Sequence, residues 1–208
     1  MRISFRFTIA PALSLVCLAP PAWADFKEGA DAYHHGDYVT ALREWQPLAE
    51  QGDAEAQFNL GQLYANGQGV HQDYVQARQW YEKAAVKGES LAQLNLGIIY
   101  GNGKGVPEDY QLALYWFRLS ANHGTAMALT QLGLMYERGN GVTQDVVLAH
   151  KWYILGAANG DKLGAELRDA LAKRMTPAQI FQAQQRAREW KPKGNERPTP
   201  QTRQHVPR

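Results

Sequence analysis

One period organises most of this chain. Asp37, Asp73, Asp109 and Asp145 stand 36 residues apart, and so do Gly52, Gly88, Gly124 and Gly160. Between them recur Leu60, Leu96, Leu132; Gly61, Gly97, Gly133; Tyr64, Tyr100, Tyr136; Gly69, Gly105, Gly141; Val70, Val106, Val142; Ala77, Ala113, Ala149; and Trp80, Trp116, Trp152. So many coincidences at one spacing mark a repeat protein. In such a protein each unit buries its apolar face only by stacking on its neighbours.

Each unit holds two helical patterns. The first runs over about 54–66, where Ala56, Leu60, Gly61 and Tyr64 share one face at helical spacing. The recurring glycine beside a bulky tyrosine predicts a close helix approach, where any side chain would clash. The second runs over about 73–87, with Ala77, Trp80, Tyr81, Ala84 and Ala85 along one amphipathic stripe. Asp73, Asp109 and Asp145 precede it as N-caps, and Gly88, Gly124 and Gly160 follow it as left-handed C-caps. No segment alternates with period two over a useful length, so the expected class is all-α. The stretch "NGQGV" at 66–70 superficially resembles a glycine-rich phosphate loop. Such a loop follows a strand and occurs once. Here it returns as "NGKGV" at 102–106 and "GNGV" at 139–142. Its glycines are therefore expected to supply positive φ for a tight connection between helices.

The ends depart from the pattern, as solenoid ends must. In the N-terminal unit, 25–52, Tyr33 stands four residues before Asp37 where full units have nine (Tyr64 to Asp73), which predicts a connection shorter by five. After three full units (53–88, 89–124 and 125–160), residues 161–190 read as a capping helix pair. Thr176, Pro177 and Gln179 form the capping box of its second helix, with Leu167, Leu171, Ile180 and Trp190 as packing residues. Residues 191–208 are polar, proline-rich and basic, with a net charge of +4, and are expected to be disordered. Residues 1–24 combine a basic start (Arg2, Arg6), a short apolar run and an Ala-Trp-Ala cleavage site, the pattern of a secretory leader cut near Ala24. The remaining chain is expected to be periplasmic or secreted, without a transmembrane segment. The only cysteine, Cys17, lies within the leader, which excludes disulfides, thiolate metal sites and cysteine nucleophiles from the remainder. Near balance of 22 basic and 20 acidic residues argues against a nucleic-acid partner.

The unit "AEAQFNLGQLYANGQGVHQDYVQARQWYEKAAVKG" (54–88) resembles the Sel1-like repeat, and the N-terminal unit with its short "HGDY" turn resembles the related tetratricopeptide repeat. The resemblance implies a right-handed α-solenoid of stacked antiparallel helix pairs acting as a bacterial envelope scaffold, non-enzymatic and without cofactors. Gly156 in place of Ala84 and Leu129 in place of Gln57 are small departures in the third unit. By similarity to tetratricopeptide repeats, the first helix of each pair lines the concave face. Its outward positions are Glu55, Phe58, Asn59, Gln62 and Asn66; Leu91, Leu94, Asn95, Ile98 and Asn102; and Met127, Thr130, Gln131, Leu134 and Arg138. This mixture of apolar and amide side chains is the candidate surface for a partner protein or peptide, lying as a helix or an extended segment.

Other chemistry is weakly signalled. His34 and His35 are adjacent, so their side chains diverge by about 100° on a helix and do not share a metal. The Trp and Tyr series reads as core. No nucleophile elbow and no dense cluster with metal-ligand spacing appears, so catalytic, cofactor and metal sites are all expected to be absent. The alternatives kept open are a hydrolase acting on cell-wall material or β-lactams, and a peptidoglycan-binding structural protein. In the last case the basic tail would make weak contact with an anionic envelope polymer.

Overall fold

A computed structural model describes residues 25–192; the segment 1–24 read as a leader and all but the first two residues of the basic tail lie outside the described residues. Ten α-helices and no strand occur among the described residues. They are α1 Phe26–His34, α2 Tyr38–Glu50, α3 Ala54–Asn66, α4 Tyr74–Ala85, α5 Ser90–Gly101, α6 Tyr110–Asn122, α7 Ala126–Arg138, α8 Val146–Ala158, α9 Lys162–Ala172 and α10 Pro177–Glu189. Helices α1 to α8 pack as four consecutive pairs, and each pair packs on the next. Helix α9 continues the row of first helices against α7 and α8, while α10 lies chiefly on α8.

The starts and stops follow local chemistry. The Asp73 carboxylate accepts from the N–H groups of Val75 (2.8 Å) and Gln76 (3.1 Å), and Asp109 and Asp145 repeat the arrangement at α6 and α8. These bonds satisfy donors that a helix N-terminus leaves without an intrahelical partner. Gly88, Gly124 and Gly160 take positive φ of 97°, 79° and 95° just past the second helices. The capping box at Thr176 and Gln179 is fully formed.

Close approach inside each pair depends on the first-helix glycine. A Cβ at Gly61, Gly97 or Gly133 would stand 2.4–2.5 Å from the ring of Tyr81, Phe117 or Tyr153. The aromatic that occupies the space thus comes from the facing second helix, not from the tyrosine three residues on. Gly29 under the Trp45 ring plays the same part in the first pair. Setting Gly29 level with Gly61 makes the α1–α2 connection (35–37) four residues shorter than the α3–α4 connection (67–73). The spacing of Tyr33 predicted five. Asp37 N–H bonds to the carbonyl of Ala32 where Asp73 N–H bonds to that of Tyr64, so Tyr33 is one position out of register with Tyr64.

The loop glycines have a second duty beyond conformation. Gly69, Gly105 and Gly141 have φ of 70°, 70° and 66°. A Cβ on each would also meet the start of the preceding second helix: Tyr38 and Tyr74 at 2.8 Å, and Tyr110 at 2.9 Å. Each "GxG" loop therefore docks backbone-close on the unit before it and locks the pitch between units. Of the tryptophan series, Trp116 is buried. Trp80 and Trp152 are half-buried, the first under the Lys83 ammonium 3.7 Å from its centroid, the second against Trp190 at 5.8 Å.

Gly36 and Gly105 separate the two duties, because Gly36 has φ of 80° and no neighbour within 4 Å. Gly36→Ala is expected to cost about 1 kcal/mol, the left-handed backbone penalty alone. Gly105→Ala adds an overpacking cost of roughly 1–3 kcal/mol. Urea unfolding of both variants checks this, and equal losses would contradict loop docking.

Candidate partner-binding groove

Two adjoining hollows run along the first helices and share Ile98. The first is bordered by Gln62 and Asn66 of α3, Asn95 and Ile98 of α5, and Tyr74, Tyr81 and Lys104. The second, of roughly 390 Å³, is bordered by Ile98 and Asn102, by Gln131, Leu134 and Arg138, and by Glu108, Tyr110 and Asn140. The structure thus brings together Gln62, Asn66, Asn95, Ile98, Asn102, Gln131, Leu134 and Arg138 from the expected set. Glu55, Leu91 and Met127 are exposed near the helix N-termini and Asn59 is half-buried, all outside these hollows.

Phe58, Leu94 and Thr130 require correction. They are 8%, 5% and 0% exposed and belong to the interior, not to an outward face. Phe58 packs its ring 5.9 Å from that of Tyr81. Thr130 is gripped between α8 and α9, where a Cβ at Gly156 or Gly164 would stand 2.3 or 2.6 Å from its hydroxyl oxygen. The reason is geometric. A first helix in a solenoid is covered by its own partner and by the units on both sides. Its buried arc is therefore wider than one amphipathic stripe. The change of Ala84 to Gly156 is explained by the same contact.

Loops and second helices supply residues that the first-helix reading missed: Tyr74, Lys104, Glu108, Tyr110 and Asn140. A signal for them exists in the repeats. Positions 68, 104 and 140 read Gln, Lys, Asn, and positions 72, 108 and 144 read Gln, Glu, Gln. Gln72 and Gln144 staple their own loops, donating to the carbonyls of Ala65 (2.8 Å) and Glu137 (2.7 Å). Glu108 instead borders the second hollow and bonds with Tyr110, which raises that phenol's pKa. The Lys104 ammonium lies 5.1 Å from the Tyr74 ring centroid. Burial pushes the Tyr81 phenol well above its ordinary pKa, and a hydrogen bond with Asn95 opposes that shift.

Other titratable pairs serve packing. Tyr100 donates to Glu82 (3.0 Å), which also pairs with Arg78 at 2.6 Å, and burial pushes the phenol up to about 12. Tyr153 donates to Glu137 (2.6 Å), which also holds Arg174. Such phenols stay protonated donors at neutral pH and supply no base. His34 and His35 are exposed, and the described residues contain no group of three or more metal-ligating side chains.

A separate cleft lies between α8, α9 and α10. It is walled by Ile154, Ala172, Ile180 and Gln184, with Arg168 and Asp169 at its edge and His150 at its base. His150 is 3% exposed, and among the described residues neither ring nitrogen has a partner in good hydrogen-bond geometry, although the Arg168 backbone interacts with the ring. Burial, and then the Arg168 cation, lower its pKa.

Two expected outcomes follow from these placements. Phe58→Ala should cost about 3–5 kcal/mol by cavity formation, while Gln131→Ala in the groove stays within about 0.5 kcal/mol of wild type. Denaturant melts of the two variants check the correction. For His150, the unfolded state binds the proton more readily than the folded state. Stability is then intact above the ordinary histidine value of about 6.5 and falls as pH drops below it toward the lowered folded value. His150→Leu, which copies Leu114 at the same register, should flatten that dependence; thermal melts at about pH 7.5 and about pH 5.5 compare the two.

The repeat is matched by the family model for the Sel1 repeat over residues 54–88, 90–125 and 126–161. No curated protein matches the chain. Among solved structures, a Sel1 repeat protein from Oxalobacter formigenes is similar at 34% identity and TM-score 0.62, over 68% of this chain and 61% of that one. A protective antigen of uropathogenic Escherichia coli strains, displaying an SLR fold, is similar at 31% identity and TM-score 0.52, over 78% of this chain and 44% of that one. This chain therefore spans less than two thirds of either neighbour. With the matched repeats, the glycine-to-aromatic contacts and the docked loops all in agreement, the chain belongs to the Sel1 repeat family.

Proposed function

We propose that the protein is a non-enzymatic scaffold of the bacterial periplasm, or a secreted one, that holds an extended segment of a partner protein along its first helices. Sel1 repeats commonly mediate protein–protein interaction. The observation that carries the more specific reading is the unspent polarity of the groove. The side-chain amides of Gln62, Asn102, Gln131 and Asn140 border the hollows and make no hydrogen bond among the described residues. The fold consumes other amides of the same repeats: Gln57 donates to the carbonyl of Ala49 (2.9 Å) and Gln93 to that of Ala85 (3.1 Å). Free amides offer both a donor and an acceptor, the complement of an extended backbone whose N–H and C=O groups are unpaired. Ile98 and Leu134 provide apolar contact between them. An amphipathic helix would instead require a continuous apolar trough, which Glu108, Arg138 and the amides interrupt.

The leader pattern read at 1–24 (Arg2, Arg6, the apolar run and Ala-Trp-Ala) is what supports export. No helix among the described residues is long and apolar enough to cross a membrane. A photocrosslinker placed at Ile98 is expected to capture a partner in envelope extracts, and one at exposed Gln79 is not. With the crosslinker kept at position 98, the combined change Gln62→Ala, Gln131→Ala and Leu134→Ala should lose that partner while retaining the helical signal. Undiminished capture by the triple variant, or turnover of nitrocefin or peptidoglycan by the purified protein, would refute the scaffold reading.

A further inference from the structure

The repeat register exposes an anomaly in the first pair. Position 44 corresponds to 80, 116 and 152, which are all tryptophan, yet here it is Glu44. Glu44 is 2% exposed and is the only fully buried acidic residue among the described residues. A carboxylate removed from water needs a cation or several donors to hold its charge. One oxygen is ion-paired with Arg43, whose Nε and Nη2 both stand 2.9 Å from it, but that guanidinium is more than half exposed and also reaches toward Glu28 at 3.9 Å. The other oxygen accepts from the backbone nitrogen of Asp25 at 3.2 Å. Asp25 is held in place there. Its side chain caps α1 by accepting from Lys27 N–H (2.8 Å), and its carbonyl accepts from Gly29 N–H (3.1 Å). In the Ala-Trp-Ala reading of the leader, Asp25 is also the first residue of the processed chain.

We propose that leader removal at the Ala24–Asp25 bond supplies a second cation to Glu44, on the oxygen that Arg43 does not engage, so that the new α-ammonium forms a partly buried ion pair locking α1 onto α2. This proposal rests on the export reading. The step is a hydrolysis: water adds across the peptide bond, Ala24 leaves with the carboxylate, and the Asp25 amine takes a proton at neutral pH. Before cleavage, Glu44 has only a neutral amide N–H at this position. Afterwards the same nitrogen carries a positive charge and three protons, one already directed at Glu44. The charged groups around the pair are Arg43 on α2 and Glu28, Lys27 and the Asp25 carboxylate at α1; no charged group of α3 bonds to Glu44. The first helix pair would thus reach full stability only after translocation, which leaves the precursor easier to unfold for passage.

Two readouts keep the leader and the ion pair apart. The first is intact mass of the protein recovered from the envelope of a bacterial host. A chain beginning at Asp25 is expected; an uncut chain, or one cut elsewhere, overturns the link to maturation. The second compares the 25–208 chain, released from a fusion with a free Asp25 amine, with the same chain N-acetylated. The free-amine form should melt about 3 °C or more above the acetylated form near neutral pH. Pairing raises the ammonium's pKa on folding. The advantage should therefore be complete below the ordinary amine value of about 8 and disappear as pH rises through the higher folded value. Glu44→Gln should erase the difference between the two forms. Equal melting of free and acetylated wild-type chains overturns the ion pair even if Glu44→Gln fails to fold.

Discussion

The contact on which the structure depends is a glycine of each first helix against an aromatic ring of its partner. Gly29, Gly61, Gly97 and Gly133 each leave space that Trp45, Tyr81, Phe117 and Tyr153 fill. Without a side chain at the glycine, the two backbones approach closely enough for the ring to bury almost completely; Tyr81, Phe117 and Tyr153 are 2%, 4% and 0% exposed. Close-packed interiors tolerate little excess volume, so this contact sets the separation of the pair. The loop glycines do the same between pairs, by bringing the loop backbone onto the preceding second helix. Both distances that define the solenoid, within and between units, are therefore set at positions where a methyl group does not fit.

Polar groups then distinguish units that share this frame. Gln57 and Gln93 reach back to the preceding second helix, and Leu129 replaces that hydrogen bond by burying apolar surface. Arg78 is bonded to Glu82 in the second pair, whereas the same two positions in the last pair are His150 and Ile154. The row thus changes from polar stapling toward apolar closure near its C-terminal end, where α9 and α10 cover it. His150 retains a polar ring there without a well-formed hydrogen bond among the described residues. Its desolvation opposes charging, which ties the cap's stability to pH in the direction that burial dictates.

Much of the fold was legible because repetition makes each unit a control for the others. Identical positions such as Leu60, Gly61 and Asp73 are accounted for by packing or capping, and each occupies its expected place. The candidate groove was only partly legible. Ile98, Gln131 and Leu134, expected on the outward face by helical phase, border the hollows, whereas Phe58, Leu94 and Thr130 are buried. One helix's periodicity cannot reveal that neighbours on both sides cover it. Lys104 and Glu108 were missed because loop residues have no phase from which to predict direction.

The sequence by itself determined the number of full units, the α-helical class, the caps and the need for glycine in the loops. Each of these follows from local steric and hydrogen-bonding rules repeated at a fixed spacing. Only the tertiary structure decided which face of each first helix stays open, which aromatic meets each glycine, and that buried Glu44 faces the nitrogen of Asp25. Those outcomes depend on contacts between residues of different helices. Their geometry exists only once the units have stacked.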